Sequence, residues 1–397
     1  MPVRRSALVA GIPVFVLALA LVLSNSYFRA AAFVIQAAGM QGLARTAASL
    51  ETSTFTERAL VIPWRGGQLR ARLYRPVGAS DRAMLLVPGV HASGVDEPRL
   101  VQFAKDLASV RHTVLTAELT DLTQYRITPR TTDMIEDAAW WLSGQKDLAP
   151  DGRIGMMGIS FAGGLSIIAA SRSPLRDRVE FVMSFGGHGD LPRTLRYLCT
   201  GREPRPSPDV RLGSAADPDF ILAPHDYGVA VILLTLADRV VPAVQVERLR
   251  TGIRQYLWAS ALDGGVDKAR APAEFEAVRA FARTLPEPSA RLMRYVLDRD
   301  VVHLGARLLP LVGSTGSADG LSVSKSPKPS VPVFLLHGLE DNVVPAIESE
   351  YLAADLRGHA PTRLLLSGLI SNAEADRPMR TSDVLQLAGF WGDLLSR

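Results

Sequence analysis

Ser160 is the residue whose setting most directly predicts chemistry. It lies in the motif GISFA, after an apolar run (154–159) that predicts a buried strand and before small residues (161–171) that predict a helix. A serine on such a sharp strand-to-helix turn is a nucleophile elbow, which presents its Oγ at the end of a sheet. Gly158 and Gly163 would permit the tight turn, although the fifth motif position is alanine rather than glycine. The pattern therefore predicts an exposed, nucleophilic serine.

Asp341 is the acid that a serine nucleophile would need. It lies in the motif VFLLHGLEDNVVP, in which an apolar strand ends just before the acid and Pro345 starts a helix. A carboxylate at the carboxyl end of a strand stands where it can hold an imidazole against Ser160. The two motifs together predict hydrolytic chemistry of the Ser-His-Asp type.

The elements around these residues alternate between strand and helix. Two strands joined by a turn are predicted over 55–76, and shorter buried strands and helices follow up to Asp190. The alternation stops at a proline-rich stretch near Gly201 and returns at Val331. This pattern predicts a mostly parallel sheet with helices on both faces, interrupted by a helical insertion.

The motifs MGISFAGG, LLVPGVHASG and VFLLHGLEDNVVP, with the serine before the acid, resemble those of membrane-anchored bacterial α/β hydrolases over roughly residues 59–397. The resemblance implies an α/β-hydrolase fold with an inserted helical cap. It also implies that the backbone N–H groups of Val90 and Phe161 stabilise the oxyanion, although Pro88-Gly89 replaces the family's histidine-glycine. Loss of one such donor typically costs about 3 kcal/mol.

The catalytic base is where the sequence departs from the family pattern. Asn372 occupies the position at which the resemblance implies a histidine, and an amide cannot accept the serine proton at neutral pH. His188 and His91 both follow predicted strand ends near the elbow and are the possible surrogate bases, with loop hydrogen bonding or packing as the alternative role for each. His337 and His359 are predicted to be structural and surface residues.

The N-terminus predicts membrane attachment. Arg4 and Arg5 precede an uncharged stretch from Ser6 to Phe28, which as a helix is long enough to cross a hydrocarbon core of roughly 30 Å. We interpret it as an uncleaved single-pass anchor of the inner membrane, with the main domain on the periplasmic or extracytoplasmic side. The alternative is a signal peptide cleaved after the small residues 30–32.

Composition excludes several other classes of protein. The net charge is +4, but arginines are interspersed with acids and form no basic tract of the kind that binds nucleic acid. A single cysteine, Cys199, excludes an intrachain disulfide. The seven histidines are scattered, and no glycine-rich phosphate loop is present, so neither a metal nor another cofactor is expected.

The expected domains are the anchor (1–28), a helical linker (29–58), the sheet domain in two parts (59–190 and 331–397), and a helical cap between them (191–330). The predicted function is that of a serine hydrolase acting on small-molecule esters with apolar acyl groups. Two alternatives stay open. One is a catalytically inactive α/β-hydrolase fold that serves as a binding or scaffold protein at the membrane, and the other is a peptidase. The sequence does not indicate an oligomeric state.

Overall fold

The computed structural model describes residues 27–37, 42–78, 80, 82–206, 218–313, 315–318, 320–370 and 381–397. The predicted anchor lies outside these residues except for Tyr27 and Phe28, and Asn372 lies outside them as well. None of the helices in the described ranges is both long and apolar enough to cross a bilayer.

Within the described residues, eight strands form one sheet and two more form a small separate ladder. The strands are β1 (Phe55–Trp64), β2 (Gly67–Pro76), β3 (Arg82–Val87), β4 (His112–Ala117), β5 (Ile154–Ile159), β6 (Val179–Phe185), β7 (Arg202–Pro204), β8 (Asp219–Ile221), β9 (Val333–Gly338) and β10 (Thr362–Ser367).

The order across the main sheet is β1-β2-β4-β3-β5-β6-β9-β10. Strand β2 runs antiparallel to both its neighbours, and the pairs from β4 to β10 are parallel. This order, with a serine elbow after β5, defines the α/β-hydrolase fold. The predicted α/β-hydrolase fold is therefore confirmed for the described part of the chain.

Helices cover both faces of the sheet and build the insertion. They are α1 (27–37), α2 (Leu43–Ser49), α3 (Pro98–Ser109), α4 (Thr120–Thr123), α5 (Pro129–Gly144), α6 (Phe161–Ser171), α7 (Leu191–Thr200), α8 (Asp226–Val240), α9 (Ala243–Ala261), α10 (Ala271–Ala282), α11 (Ser289–Leu297), α12 (Val301–Val312), α13 (Ile347–Leu356) and α14 (Thr381–Leu395).

The core forms two layers, one on each face of the sheet. Along β3, Leu85 and Val87 join the layer beneath α5, α6 and the insertion, whereas Met84 and Leu86 join the layer beneath α3 and α14. Strands buried on both faces read as continuous apolar runs, which explains why these strands were predictable.

The segment expected to be a linker is partly built into the second core layer. Phe33 on α1 is 1% exposed and packs on Trp391 of α14 with ring centroids 4.4 Å apart. Tyr27 donates a hydrogen bond of 2.7 Å to Asp393 on the same helix. Helix α1 therefore acts as an outer part of the domain, because its apolar face is buried.

The insertion between β6 and β9 is mainly helical, as composition predicts, but it also contains β7 and β8. This hairpin was not predicted. Gly201, with φ of 68°, ends α7 in the left-handed conformation, and Glu203 then enters the core side of β7. A glycine cap followed by a turn of direction allows a short strand in a stretch whose prolines exclude helix.

Candidate functional site

Ser160 stands between β5 and α6 in a conformation that L-residues rarely adopt. Its φ and ψ angles are 55° and −136°, and its N–H donates to the carbonyl of Phe185 at the end of β6 over 2.7 Å. Such backbone strain costs on the order of 1–3 kcal/mol and is found chiefly at functional sites. The residue thus has the elbow geometry that the motif predicts.

The glycines around the elbow are required by close approach. A Cβ atom at Gly158 would lie 2.2 Å from the carbonyl oxygen of Ala162, and one at Gly163 would lie 2.4 Å from Ser184 Oγ. Any larger residue at these two positions would push α6 away from β5 and β6. Their small size therefore keeps Ser160 at the sheet edge.

The loop after β3 lies against the elbow because of strand register. Val87, the last residue of β3, pairs with Gly158 on β5, so the next residues run alongside Ser160. A Cβ atom at Gly89 would lie 3.4 Å from that of Ser160.

The N–H groups of Val90 and Phe161 make no hydrogen bond to any residue that the structure describes. Two unpaired N–H groups beside a serine form an arrangement that can stabilise an oxyanion.

Asp341 follows β9, two strands away from β5. Its Oδ1 accepts hydrogen bonds from the N–H groups of Val343 and Val344, at 2.9 and 3.1 Å. A Cβ atom at Gly186 would lie 3.2 Å from its Oδ2, so the carboxylate sits over the end of β6. The side chain is 19% exposed.

Strand β6 separates the serine from the acid. Neighbouring strands lie about 4.8 Å apart, so two intervals put the two residues roughly 10 Å from each other. In a catalytic triad an imidazole spans this gap, accepting the serine proton on one side and donating to the carboxylate on the other. The structure therefore brings Ser160 and Asp341 to opposite sides of one gap at the carboxyl edge of the sheet.

His337 lies nearest to the acid but is fully engaged elsewhere. Its Nδ1 lies 2.6 Å from Ser349 Oγ, and its Nε2 lies 2.8 Å from the carbonyl oxygen of Val344. The ring is fully buried beneath Asp341. Because Nε2 donates to a carbonyl and Nδ1 accepts from a hydroxyl, this histidine supports the acid loop structurally.

His188 packs against the elbow helix. Its Nε2 lies 2.9 Å from the carbonyl oxygen of Leu321, and a Cβ atom at Gly164 would lie 3.1 Å from its Nδ1. This places the imidazole one helical turn beyond Ser160. Burial lowers the pKa of His188, so the ring is neutral near pH 7.

His91 lies on the loop that carries Val90. Its Nδ1 accepts from the N–H of Ser93 at 3.1 Å, and its Nε2 is buried with no partner among the described residues. Burial lowers the pKa of His91. No hydrogen bond within the described ranges joins either possible surrogate, His91 or His188, to Ser160.

The remaining predicted site residue, Asn372, lies outside the described residues, so its place relative to the gap is still a prediction. Ser160 Oγ itself makes no hydrogen bond to any described side chain. His359 is exposed at the end of α13, as predicted.

The turn that begins α8 bonds to the two loops that carry Asp341 and Val90. This turn was not identified from the sequence. The N–H of His225 donates to the carbonyl of Asn342, next to the acid, over 2.9 Å. The hydroxyl of Tyr227 donates to the carbonyl of Val90 over 2.8 Å. The available signal was the polar pair His225-Asp226 ahead of a long apolar run, which is typical of a helix N-terminus.

A buried charge cluster attaches the insertion to the helix behind the acid. Arg193 on α7 binds Glu348 on α13 at 2.7 Å and Glu203 on β7 at 3.0 Å. Both carboxylates are fully buried. Burial, and then the charge of Glu348, raises the pKa of Glu203 to about 10, so this side chain holds its proton. Burial alone would raise the pKa of Glu348, but Arg193 lowers it.

The described residues offer no cluster of metal-binding side chains. No group of three or more His, Cys, Asp or Glu side chains among them could hold an ion. Two cavities among the described residues, of about 240 and 290 Å³, lie beside Asp151 and beside Glu51.

Comparison with known proteins gave matches only among solved structures. No protein-family model and no curated protein matches the sequence. An esterase of the archaeon Pyrobaculum calidifontis is 15% identical with a TM-score of 0.40, and the match covers 94% of this chain and 92% of that one. Dienelactone hydrolase of Anabaena variabilis is 15% identical with a TM-score of 0.40, and the match covers 85% of this chain and 96% of that one.

An acylaminoacyl peptidase of Pyrococcus horikoshii is 13% identical with a TM-score of 0.40 over 80% of this chain, which spans 37% of the length of that enzyme. The α/β-hydrolase fold of the present chain follows from its own strand order and elbow, independently of these similarities.

Proposed function

We propose that this protein is a serine hydrolase that cleaves carboxylic esters with apolar acyl groups. Ser160 attacks the ester carbonyl, the N–H groups of Val90 and Phe161 stabilise the oxyanion, and Asp341 is the acid on the far side of the gap. The observation that carries the proposal is the strained backbone of Ser160 beside two unpaired N–H groups. Strain of this kind persists only where the surrounding structure holds it.

The surroundings of the elbow support an apolar acyl group. The rings of Tyr125 and Tyr227 lie 6.1 Å apart beside the Val90 loop, and Phe161 follows the nucleophile directly. Pockets lined by aromatic side chains bind the apolar part of a ligand and leave a few polar groups to orient it.

Labelling with a fluorophosphonate probe, which reacts with activated serines, tests the proposal. We expect the folded wild-type protein to be labelled at Ser160 and the Ser160→Ala variant not at all. Ser166→Ala is the matched control, since Ser166 is a buried serine on the same helix. Hydrolysis of p-nitrophenyl esters should then rise in kcat/KM from the acetyl to the octanoyl ester.

A second candidate is a catalytically inactive scaffold or binding protein. It is favoured by the absence of any hydrogen bond between Ser160 Oγ and a described histidine, together with Asn372 in the expected base position. Folded protein that resists labelling under conditions in which a known serine esterase reacts completely would support this candidate and contradict the first.

We also propose that residues before α1 anchor the protein in the inner membrane, with the hydrolase domain on the outer side. The packing of α1 supports an uncleaved form, because cleavage after residue 32 would remove the buried Ala30 and the hydrogen bond from Tyr27 to Asp393.

A further inference from the structure

The carbonyl of Val90 is bound by the insertion, whereas the N–H of the same residue is left unpaired. Tyr227 Oη donates to this carbonyl over 2.8 Å. On the other side of Val90, Gly89 lies against the elbow, where a Cβ atom would be 3.4 Å from that of Ser160. The residue that would supply an oxyanion donor is thus fixed from both ends.

The position of Tyr227 is itself fixed by the acid loop. His225 Nδ1 accepts the N–H of Tyr227 at 3.1 Å, and the N–H of His225 donates to the carbonyl of Asn342 at 2.9 Å. One turn of the insertion therefore connects the loop after β9 with the loop after β3. The ring of Tyr227 also packs edge to face against that of Tyr125, with the ring centroids 6.1 Å apart.

The chemistry of the hydroxyl suits a permanent donor. Burial raises the pKa of Tyr227 well above 10, so the hydroxyl keeps its proton at neutral pH. A neutral donor to a backbone carbonyl restrains the peptide without placing a charge near the oxyanion.

We propose that Tyr227 is a positioning residue for the oxyanion hole, holding Val90 so that its N–H faces the oxygen of the carbonyl group attacked by Ser160. The inference rests on the function proposed above. Among the described residues Tyr227 makes no hydrogen bond to Ser160 or Asp341, and it acts through the backbone of Val90. The insertion thereby helps to determine the geometry of the reaction centre.

The test compares Tyr227→Phe with Tyr351→Phe in the full-length protein. Tyr351 donates a hydrogen bond of the same length, 2.8 Å, from α13 to the carbonyl of Pro204 in the insertion. Both variants remove one hydroxyl that joins the insertion to the sheet domain, but only Tyr227 reaches the oxyanion loop. A general loosening of the insertion would affect the two variants alike.

Kinetics with a short p-nitrophenyl ester should separate binding from catalysis. We expect Tyr227→Phe to lower kcat and the fluorophosphonate labelling rate about tenfold, the effect of one hydrogen bond, with KM within twofold. In Tyr351→Phe, kcat, KM and the labelling rate should all stay within twofold of the wild-type values. Equal losses in the two variants, or no loss in Tyr227→Phe, would overturn the proposal.

Hydrogen exchange provides a readout that does not depend on activity. The N–H of Gly94 bonds to His91, and that of Ser93 bonds to the His91 ring, so exchange in a peptide over 88–95 reports the order of this loop. We expect faster exchange there in Tyr227→Phe alone. Faster exchange in a protein whose wild type is not labelled at Ser160 would reject the proposed function and retain the positioning of the loop, whereas unchanged exchange would reject the positioning itself.

Discussion

The imidazole of His337 lies 3.6 Å from the carboxylate of Asp341, yet it has no free lone pair to offer a substrate. Its Nδ1 lies 2.6 Å from Ser349 Oγ, and its Nε2 faces the carbonyl of Val344 at 2.8 Å. The histidine nearest to the acid therefore holds the acid loop in place and lies below the gap that a base would fill.

The first prediction concerns His337. His337→Ala leaves the Ser349 hydroxyl and the Val344 carbonyl without partners in the core, so we expect a loss of roughly 2–4 kcal/mol in the free energy of unfolding. Urea unfolding measures this, with the exposed His359→Ala as a control expected to change it by less than about 0.5 kcal/mol. A stable, folded His337→Ala protein that no longer labels at Ser160 would instead identify His337 as the base.

The second prediction concerns the missing base. If Asn372 stands in the gap, Asn372→His should raise the rate on a short acyl ester by roughly 10²-fold, as a positioned general base does. The gain should fade below pH about 6.5, where imidazole becomes protonated. Asn372→Gln is the control and should show no gain, because an amide cannot accept the proton.

Steady-state rates across pH would measure the effect of Asn372→His. An unchanged rate in that variant, combined with a collapse of activity in His188→Ala, would show that His188 already serves as the base.

The third prediction concerns Glu203, whose pKa is raised from 4.5 to about 10 in the folded protein. The unfolded chain loses this proton near pH 4.5, so the stabilisation by the bound proton is complete below that pH and is lost as the pH rises towards 10. Glu203→Gln keeps the hydrogen bonding but removes the titration.

Thermal unfolding at pH 5 and pH 8 tests whether ionisation at Glu203 lowers the stability as the pH rises. We expect Glu203→Gln to match wild type at pH 5 and to exceed it in Tm by about 1–3 °C at pH 8. Glu348→Gln serves as the contrasting variant, because it removes the charge that pairs with Arg193 and should lower Tm at both pH values. A Glu203→Gln variant that is less stable at pH 8 would show that Glu203 is ionised.

The fourth prediction concerns the N-terminus. The full-length protein should stay with membranes after a carbonate wash, whereas a variant lacking residues 2–26 should be released, since it keeps α1 but loses the uncharged stretch. N-terminal sequencing of the native protein that begins at Phe33 would contradict the anchor and indicate a cleaved signal peptide.

The sheet was predictable from the sequence because each strand is marked by an apolar run of only a few residues. Ile154–Ile159 and Val333–Gly338 are mostly apolar and largely buried, which is typical of strands in a covered parallel sheet. Ser160 follows the first strand at once, and Asp341 comes shortly after the second. The elbow was equally readable, since the close packing around Gly158 leaves no room for a side chain.

The roles of His91 and His188 were not predictable in the same way, although the sequence correctly predicted a structural His337 and an exposed His359. His91 and His188 both follow strand ends, but His91 is bonded within its own loop by the N–H of Ser93, whereas His188 is oriented by the distant carbonyl of Leu321. A histidine's role depends on which ring nitrogen is already bonded, and that is set by tertiary contacts.

The sequence by itself predicted the strands, the serine on its sharp turn and the acid at the end of a strand, because periodicity and tight turns act over a few residues. Tertiary structure alone decided that a turn of the insertion joins Asn342 to Val90 through His225 and Tyr227. Such contacts join residues more than a hundred positions apart, and their geometry arises only when the insertion packs on the sheet.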